Sequence, residues 1–149
     1  HQIPQRLAPH ANQNVFFSTI RYHEPRNIFN GTPSPIPSKS KLLLVTGIAQ
    51  PQPIQNYLSA HYDVSALHYN DHHNFTPTDI QNIRKQFLST HSQFILTTEK
   101  DMVRFLSPDI RPLIANLPIS YLPITTDILT SSPEFDQLIL LHLAYPLHT

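Results

Sequence analysis

Leu42-Leu43-Leu44-Val45 is an uninterrupted apolar run, the pattern of a strand covered on both faces rather than one. A strand of that kind lies inside a sheet with helices above and below it, and this limits what the rest of the chain can become. The run exits through a loop, Thr46-Gly47-Ile48-Ala49-Gln50-Pro51-Gln52-Pro53, after which Ile54, Tyr57, Leu58 and His61 recur at helical spacing. Val64 to Leu67 reads as a second strand. A helix from Pro77 buries Ile80, Ile83 and Phe87 and shows Arg84 and Lys85 to solvent. Phe94-Ile95-Leu96 is a third strand, followed by a helix with Met102, Val103, Phe105 and Leu106 and a short helix between Pro108 and Asn116. Ile119 to Leu122 reads as a fourth strand, and Ser132-Pro133 opens a last helix carrying Phe135, Leu138, Ile139 and Leu141. The alternation predicts an α/β three-layer sandwich around a mostly parallel four-stranded sheet. Tyr57, Phe87 and Phe105 are expected in its core.

Residues 1–40 read as a connector to a domain spanning 41–149. Val15 to Tyr22 is rich in β-branched and aromatic residues and is expected to pair with Asn27 to Phe29 as a β-ribbon. Gly31 to Ser40, with Pro33, Pro35 and Pro37, reads as a stiff extended linker. The chain opens on His1 rather than Met, so a fragment of a longer protein is expected.

Charged residues make up 13% of the 149, against roughly 25% in an average globular protein, and the formal net charge is zero. No basic surface of the kind that binds nucleic acid is implied. With no cysteine there is no disulfide, thiolate zinc site or cysteine nucleophile. Glycine occurs twice, as Gly31 and Gly47. The dinucleotide fingerprint needs three glycines and a P-loop two plus Lys and Ser/Thr, so neither phosphate cradle is encoded here.

In a parallel sheet ligands meet the loops at the carboxyl ends of the strands. Those loops are Gly47 to Pro53, Tyr69 to Thr76, Thr97 to Lys100 and Thr125 to Ser132. Two of them are polar helix entrances. Asp71-His72-His73-Asn74-Phe75-Thr76 runs into Pro77-Thr78-Asp79, where Thr76 can cap, Pro77 suits the first helical position and Asp79 stands where a capping-box acid would answer. In Thr97-Thr98-Glu99-Lys100-Asp101, Thr98 can cap and Asp101 again stands three residues on. Asp71 beside His72 and His73 suits proton transfer, since an acid can fix the tautomer of an imidazole that titrates near neutrality; a solvated cap region explains the same residues. A metal site of His68, Asp71, His72 and His73 is another reading, though adjacent residues rarely converge on one ion. Lys100 places a cation at a helix N-terminus, where the dipole disfavours it, which points either to an anionic ligand or to a solvated first turn. A free-standing module that binds a small anion is the corresponding alternative function. Gly47 suits a tight strand exit or the close approach of a neighbour.

Val45 to Pro51, Asp71 to Thr76 and Thr97 to Asp101, in that order and spacing, resemble the C-terminal half of the tetraacyldisaccharide 4'-kinase family of lipid A biosynthesis. The resemblance runs from about Val15 to Tyr145. Gln50 departs from it, standing where the family more often has Asn. The resemblance implies an ATP- and Mg²⁺-dependent kinase acting on the 4' hydroxyl of a lipid A disaccharide precursor at the cytoplasmic face of the bacterial inner membrane. It implies that the P-loop, the magnesium ligands and the membrane contact belong to an N-terminal domain outside this chain, leaving the chain inactive alone. It assigns catalysis to His72 and Asp71, with His72 pairing with an aspartate of that other domain. His73, Thr76, Glu99, Lys100 and Gly47 are then expected around the substrate.

Overall fold

The computed structural model describes residues 10, 13–129 and 132–144. They fall into two units: Tyr22–Ile124, and the residues up to Arg21 together with those from Thr125 on. The larger unit holds a five-stranded sheet. Its strands are β2 (Arg26–Asn27), β3 (Lys41–Thr46), β4 (Asp63–His68), β5 (Phe94–Thr98) and β6 (Ile119–Leu122), in the spatial order β2-β6-β5-β3-β4. β3, β4, β5 and β6 run parallel, and β2 joins the edge antiparallel. The fifth strand, β2, overlaps the Asn27 to Phe29 segment expected in the ribbon, but it joins the sheet at β6 instead.

The Leu42 to Val45 run behaves as its composition dictates. Leu42 lies between Val64 and Phe94, and Val45 between Leu67 and Thr97. Alternate residues then point to opposite faces. Leu42 and Leu44 join Ile54 and Leu58 of helix α1 (Gln52–Ser59), with Ile36, Leu96 and Leu122. Leu43 and Val45 join Ile80 and Ile83 of α2 (Pro77–Ser89), Phe105 of α3 (Glu99–Phe105) and Ile114 of α4 (Arg111–Ile114). Two apolar layers thus sandwich one sheet.

The segment read as a linker packs into this unit. Asn27 Oδ1 accepts from the amides of Phe29 and Asn30, and Gly31 takes the left-handed conformation that closes the turn. Ile28 and Ile36 are buried. Tyr57 is a correction to the expected aromatic core: it is 38% exposed and stacks on Tyr22, with ring centroids 4.3 Å apart. Arg84 is likewise not turned fully to solvent, for its guanidinium donates to the Leu113 carbonyl of α4.

The ribbon partner is also corrected. β1 (Ser18–Tyr22) pairs with β7 (Ile124–Ile128), not with the residues near Asn27. Asn27 is taken by Ser120 of β6, and Ile124-Thr125-Thr126-Asp127-Ile128, part of which was read as a loop, is β-branched enough to form a strand. In the smaller unit Phe16 meets Phe135 edge-on at 5.1 Å, and Arg21 pairs with Asp127. Its helix α5 (Ser132–Ala144) exposes Leu140 and Leu143. Among the described residues no helix is long and apolar enough to cross a membrane.

Ile83 is fully buried between α2 and the sheet. Ile83→Ala is expected to cost about 2–5 kcal/mol, read as a lower urea midpoint at an unchanged m-value.

Candidate functional site

The sheet reverses its winding at β3. From β3 the chain crosses by α1 to β4 on one side, then by α2 to β5 on the other. The carboxyl ends of β3 and β5 therefore flank the switch point where open α/β sheets usually hold ligands. In this chain a carboxylate closes the gap. Asp101, fully buried, accepts from the Gly47 amide at 2.9 Å and from Thr98 Oγ1 at 2.8 Å. Its other oxygen accepts from Arg104 Nη1 at 2.7 Å. A side chain at Gly47 would stand 3.3 Å from the Asn70 carbonyl, Asp101 Oδ1 and His73 Cβ, so glycine is favoured here by close approach rather than by φ.

The two helix entrances resolve differently. At α2 the capping box is complete: Thr76 Oγ1 accepts from the Asp79 amide, and Asp79 Oδ2 accepts from the Thr76 amide at 2.8 Å. His73 Nε2 lies 2.9 Å from that same Asp79 oxygen, and its ring stacks on Tyr69 at 4.7 Å. His73 and Thr76 are thus committed to the cap. At α3, Thr98 caps the Asp101 amide at 3.0 Å, but the Asp101 carboxylate takes the Thr98 hydroxyl and the Gly47 amide rather than the Thr98 amide. The expected box is half a box, because Asp101 bridges two strands instead.

The loop after β4 carries His72 in the left-handed region, at φ 60°. Its amide donates to the Gly47 carbonyl at 3.1 Å and to Asp71 Oδ1 at 3.0 Å, which holds the turn over the β3 exit. The side chain is 71% exposed. Asp71 is the anion for Lys100: Nζ stands 3.1 Å from Oδ1. Lys100 therefore already has an anionic partner within the chain. The Lys100 hydrogen bond holds the Asp71 carboxyl below its ordinary range, aided by the neighbouring His72.

The His72 imidazole is held from both sides. Arg104 Nη2 approaches Nδ1 at 3.2 Å, and Nε2 stands 3.5 Å from Asp71 Oδ2. Guanidinium can only donate, so in this contact Nδ1 accepts, and a neutral ring then carries its proton on Nε2. Nε2 has Asp71 only at 3.5 Å, and the side chain is 71% exposed, so this edge of the ring is accessible from solvent.

Of the sequence-predicted residues, the structure brings together Asp71, His72 and Lys100, with Gly47 beneath them. Glu99 points elsewhere, accepting from the Ile124 amide at 3.3 Å. Asp101 and Arg104 are the additions. Their i, i+3 spacing is a helical pair readable in the sequence, but the partners at Gly47 and His72 are not local. His68 does not join the others: it bonds Thr46 Oγ1 at 2.9 Å and Gln55 Oε1 at 3.2 Å. Among the described residues no three His, Asp or Glu side chains are placed to share a metal ion.

A family model described as tetraacyldisaccharide-1-P 4'-kinase matches residues 2–144. The chain belongs to that family. The tetraacyldisaccharide 4'-kinase of Bacteroides thetaiotaomicron is 36% identical over 136 residues, covering 78% of this chain and 36% of the relative. That of Flavobacterium johnsoniae is 33% identical over 146 residues, covering 95% and 39%. The chain thus spans under two fifths of these relatives' length. A crystal structure of LpxK from Aquifex aeolicus in complex with ATP matches 94% of this chain and 40% of its own, with a TM-score of 0.52 and 13% identity, which supports the fold.

Burial raises the Asp79 carboxyl pKa, but the hydrogen bonds from Thr76 and His73 outweigh it, and the net value is lowered. A carboxyl lowered on folding stabilises fully above its unfolded value of about 3.9 and loses that contribution as pH falls through the folded value. Below that unfolded value, stability is expected to fall with pH, and Asp79→Asn to flatten this acid limb in urea unfolding measured across it. An unchanged slope in the variant would show that other carboxylates govern it.

Proposed function

We propose that this chain forms the part of a tetraacyldisaccharide 4'-kinase that presents an imidazole to the hydroxyl-bearing substrate. The observation that carries the reading is the placement of His72. A residue of the family's motif stands exposed at the carboxyl edge of the parallel sheet, in a turn fixed by Gly47 and flanked by Asp71. Phosphoryl transfer asks a protein for positioning and electrostatics more than for covalent chemistry. The Nε2–H, with Asp71 only at 3.5 Å, is available to a carboxylate elsewhere in the protein. His72 then orients that carboxylate beside the sugar 4' hydroxyl, and Asp71 keeps the ring in place.

The residues present do not fit ATP. The chain has two glycines, and the Gly47 amide is already spent on Asp101. We therefore assign the nucleotide and Mg²⁺ to an N-terminal P-loop domain of the same protein, and attribute no step of nucleotide chemistry to these residues. The substrate in this reading is the lipid A disaccharide precursor, met at the cytoplasmic side of the bacterial inner membrane, with the membrane contact made by that other domain.

In the intact protein, His72→Ala is expected to lower kcat by roughly 10² to 10⁴-fold with an unchanged urea midpoint. Wild-type turnover would remove His72 from catalysis. This chain alone, given ATP and the disaccharide precursor, is expected to transfer no phosphate; measurable product would show that it holds nucleotide after all.

A further inference from the structure

Arg104 has a place that the proposed reaction does not by itself require. Its side chain is 18% exposed, and its planar fork spans two partners. One nitrogen binds the buried Asp101 at 2.7 Å; the other reaches His72 Nδ1 at 3.2 Å. Asp101 is in turn fixed by the Gly47 amide and Thr98, at the ends of β3 and β5. A continuous polar strut therefore runs from the centre of the sheet to an imidazole that is otherwise largely in solvent.

Resting on the reading of His72 given above, we propose that Arg104 is a positioning residue for His72. It holds Nδ1 as an acceptor, which keeps the proton on Nε2, the other nitrogen of the ring. An exposed imidazole on a loop turns freely about two side-chain bonds and exchanges its two neutral tautomers. The strut removes both freedoms by using a donor that cannot accept or lose a proton. Asp71 contributes on the opposite side, where its carboxylate lies 3.5 Å from Nε2. The ring is thus held between a fixed cation and a fixed anion, and each nitrogen is matched to only one of them.

Lysine separates positioning from folding. Arg104→Lys keeps a cation for Asp101 but loses the fork, and one ammonium on a flexible stem cannot serve both partners. In the intact protein, Arg104→Lys is expected to unfold at the wild-type urea midpoint and to lose kcat by roughly 10²-fold, the scale of a misplaced reacting group, with KM little changed. In a His72→Ala background the same substitution is expected to cost nothing further, since the residue it positions is gone. Wild-type kcat in Arg104→Lys, or an equal cost in both backgrounds, would overturn the proposal. Imidazole ¹⁵N spectra of the same proteins supply a readout that does not depend on activity. In spectra recorded at a pH where the imidazole is neutral, wild-type His72 is expected as a single tautomer protonated at Nε2, and Arg104→Lys as a mixture; the Nδ1-protonated neutral tautomer in the wild type overturns the assignment. If His72→Ala alone keeps full turnover, the catalytic reading of His72 fails, and the spectra still decide whether Arg104 holds the ring.

Discussion

The buried carboxylate of Asp101 is the interaction on which the carboxyl edge of this sheet depends. A buried charge is tolerated only when fully partnered, and Asp101 meets that requirement with a backbone amide, a hydroxyl and a guanidinium. Each partner comes from a different place: the exit of β3, the cap of α3 and the body of α3. Satisfying the charge therefore also fixes those three pieces against one another. The same crowding leaves little room for a side chain at Gly47.

That arrangement changes what the switch point is for. In many doubly wound sheets the crevice between the two central strand ends receives the ligand. Here protein fills it, and the exposed chemistry is moved to the turn above, where His72, Asp71 and Lys100 meet. The reading proposed for His72 is consistent with this displacement, since a side chain that acts on a substrate held elsewhere has to protrude rather than line a pocket of its own.

The legible parts of the structure were those set by short-range rules. The Leu42 to Val45 run gave its strand because both faces demanded apolar residues, and the Thr76 to Asp79 box gave its helix start because all its partners lie within four residues. What escaped reading was set by partners distant in sequence. β2 is two residues long and exists because β6 lends it an edge. β7 is mostly exposed, with a partner at the opposite end of the chain. Asp101 looked like a second capping-box acid, and only the fold shows Gly47, 54 positions away, as the group that claims it. At the site, His72, Asp71 and Lys100 could be named from their motifs, whereas Arg104 could not. His73 and Thr76 carry motif letters too, yet they are absorbed by the helix cap.

The β1–β7 ribbon bears on the order in which the chain folds. Its strands, Ser18–Tyr22 and Ile124–Ile128, are separated by roughly 100 residues, and joining such distant segments from a random coil carries a large loop-closure entropy. The Tyr22–Ile124 unit removes most of that barrier once it has formed, for within it the His23 amide already bonds the Pro123 carbonyl at 3.0 Å. Closing the ribbon then costs far less chain entropy than joining the same two strands from an open coil.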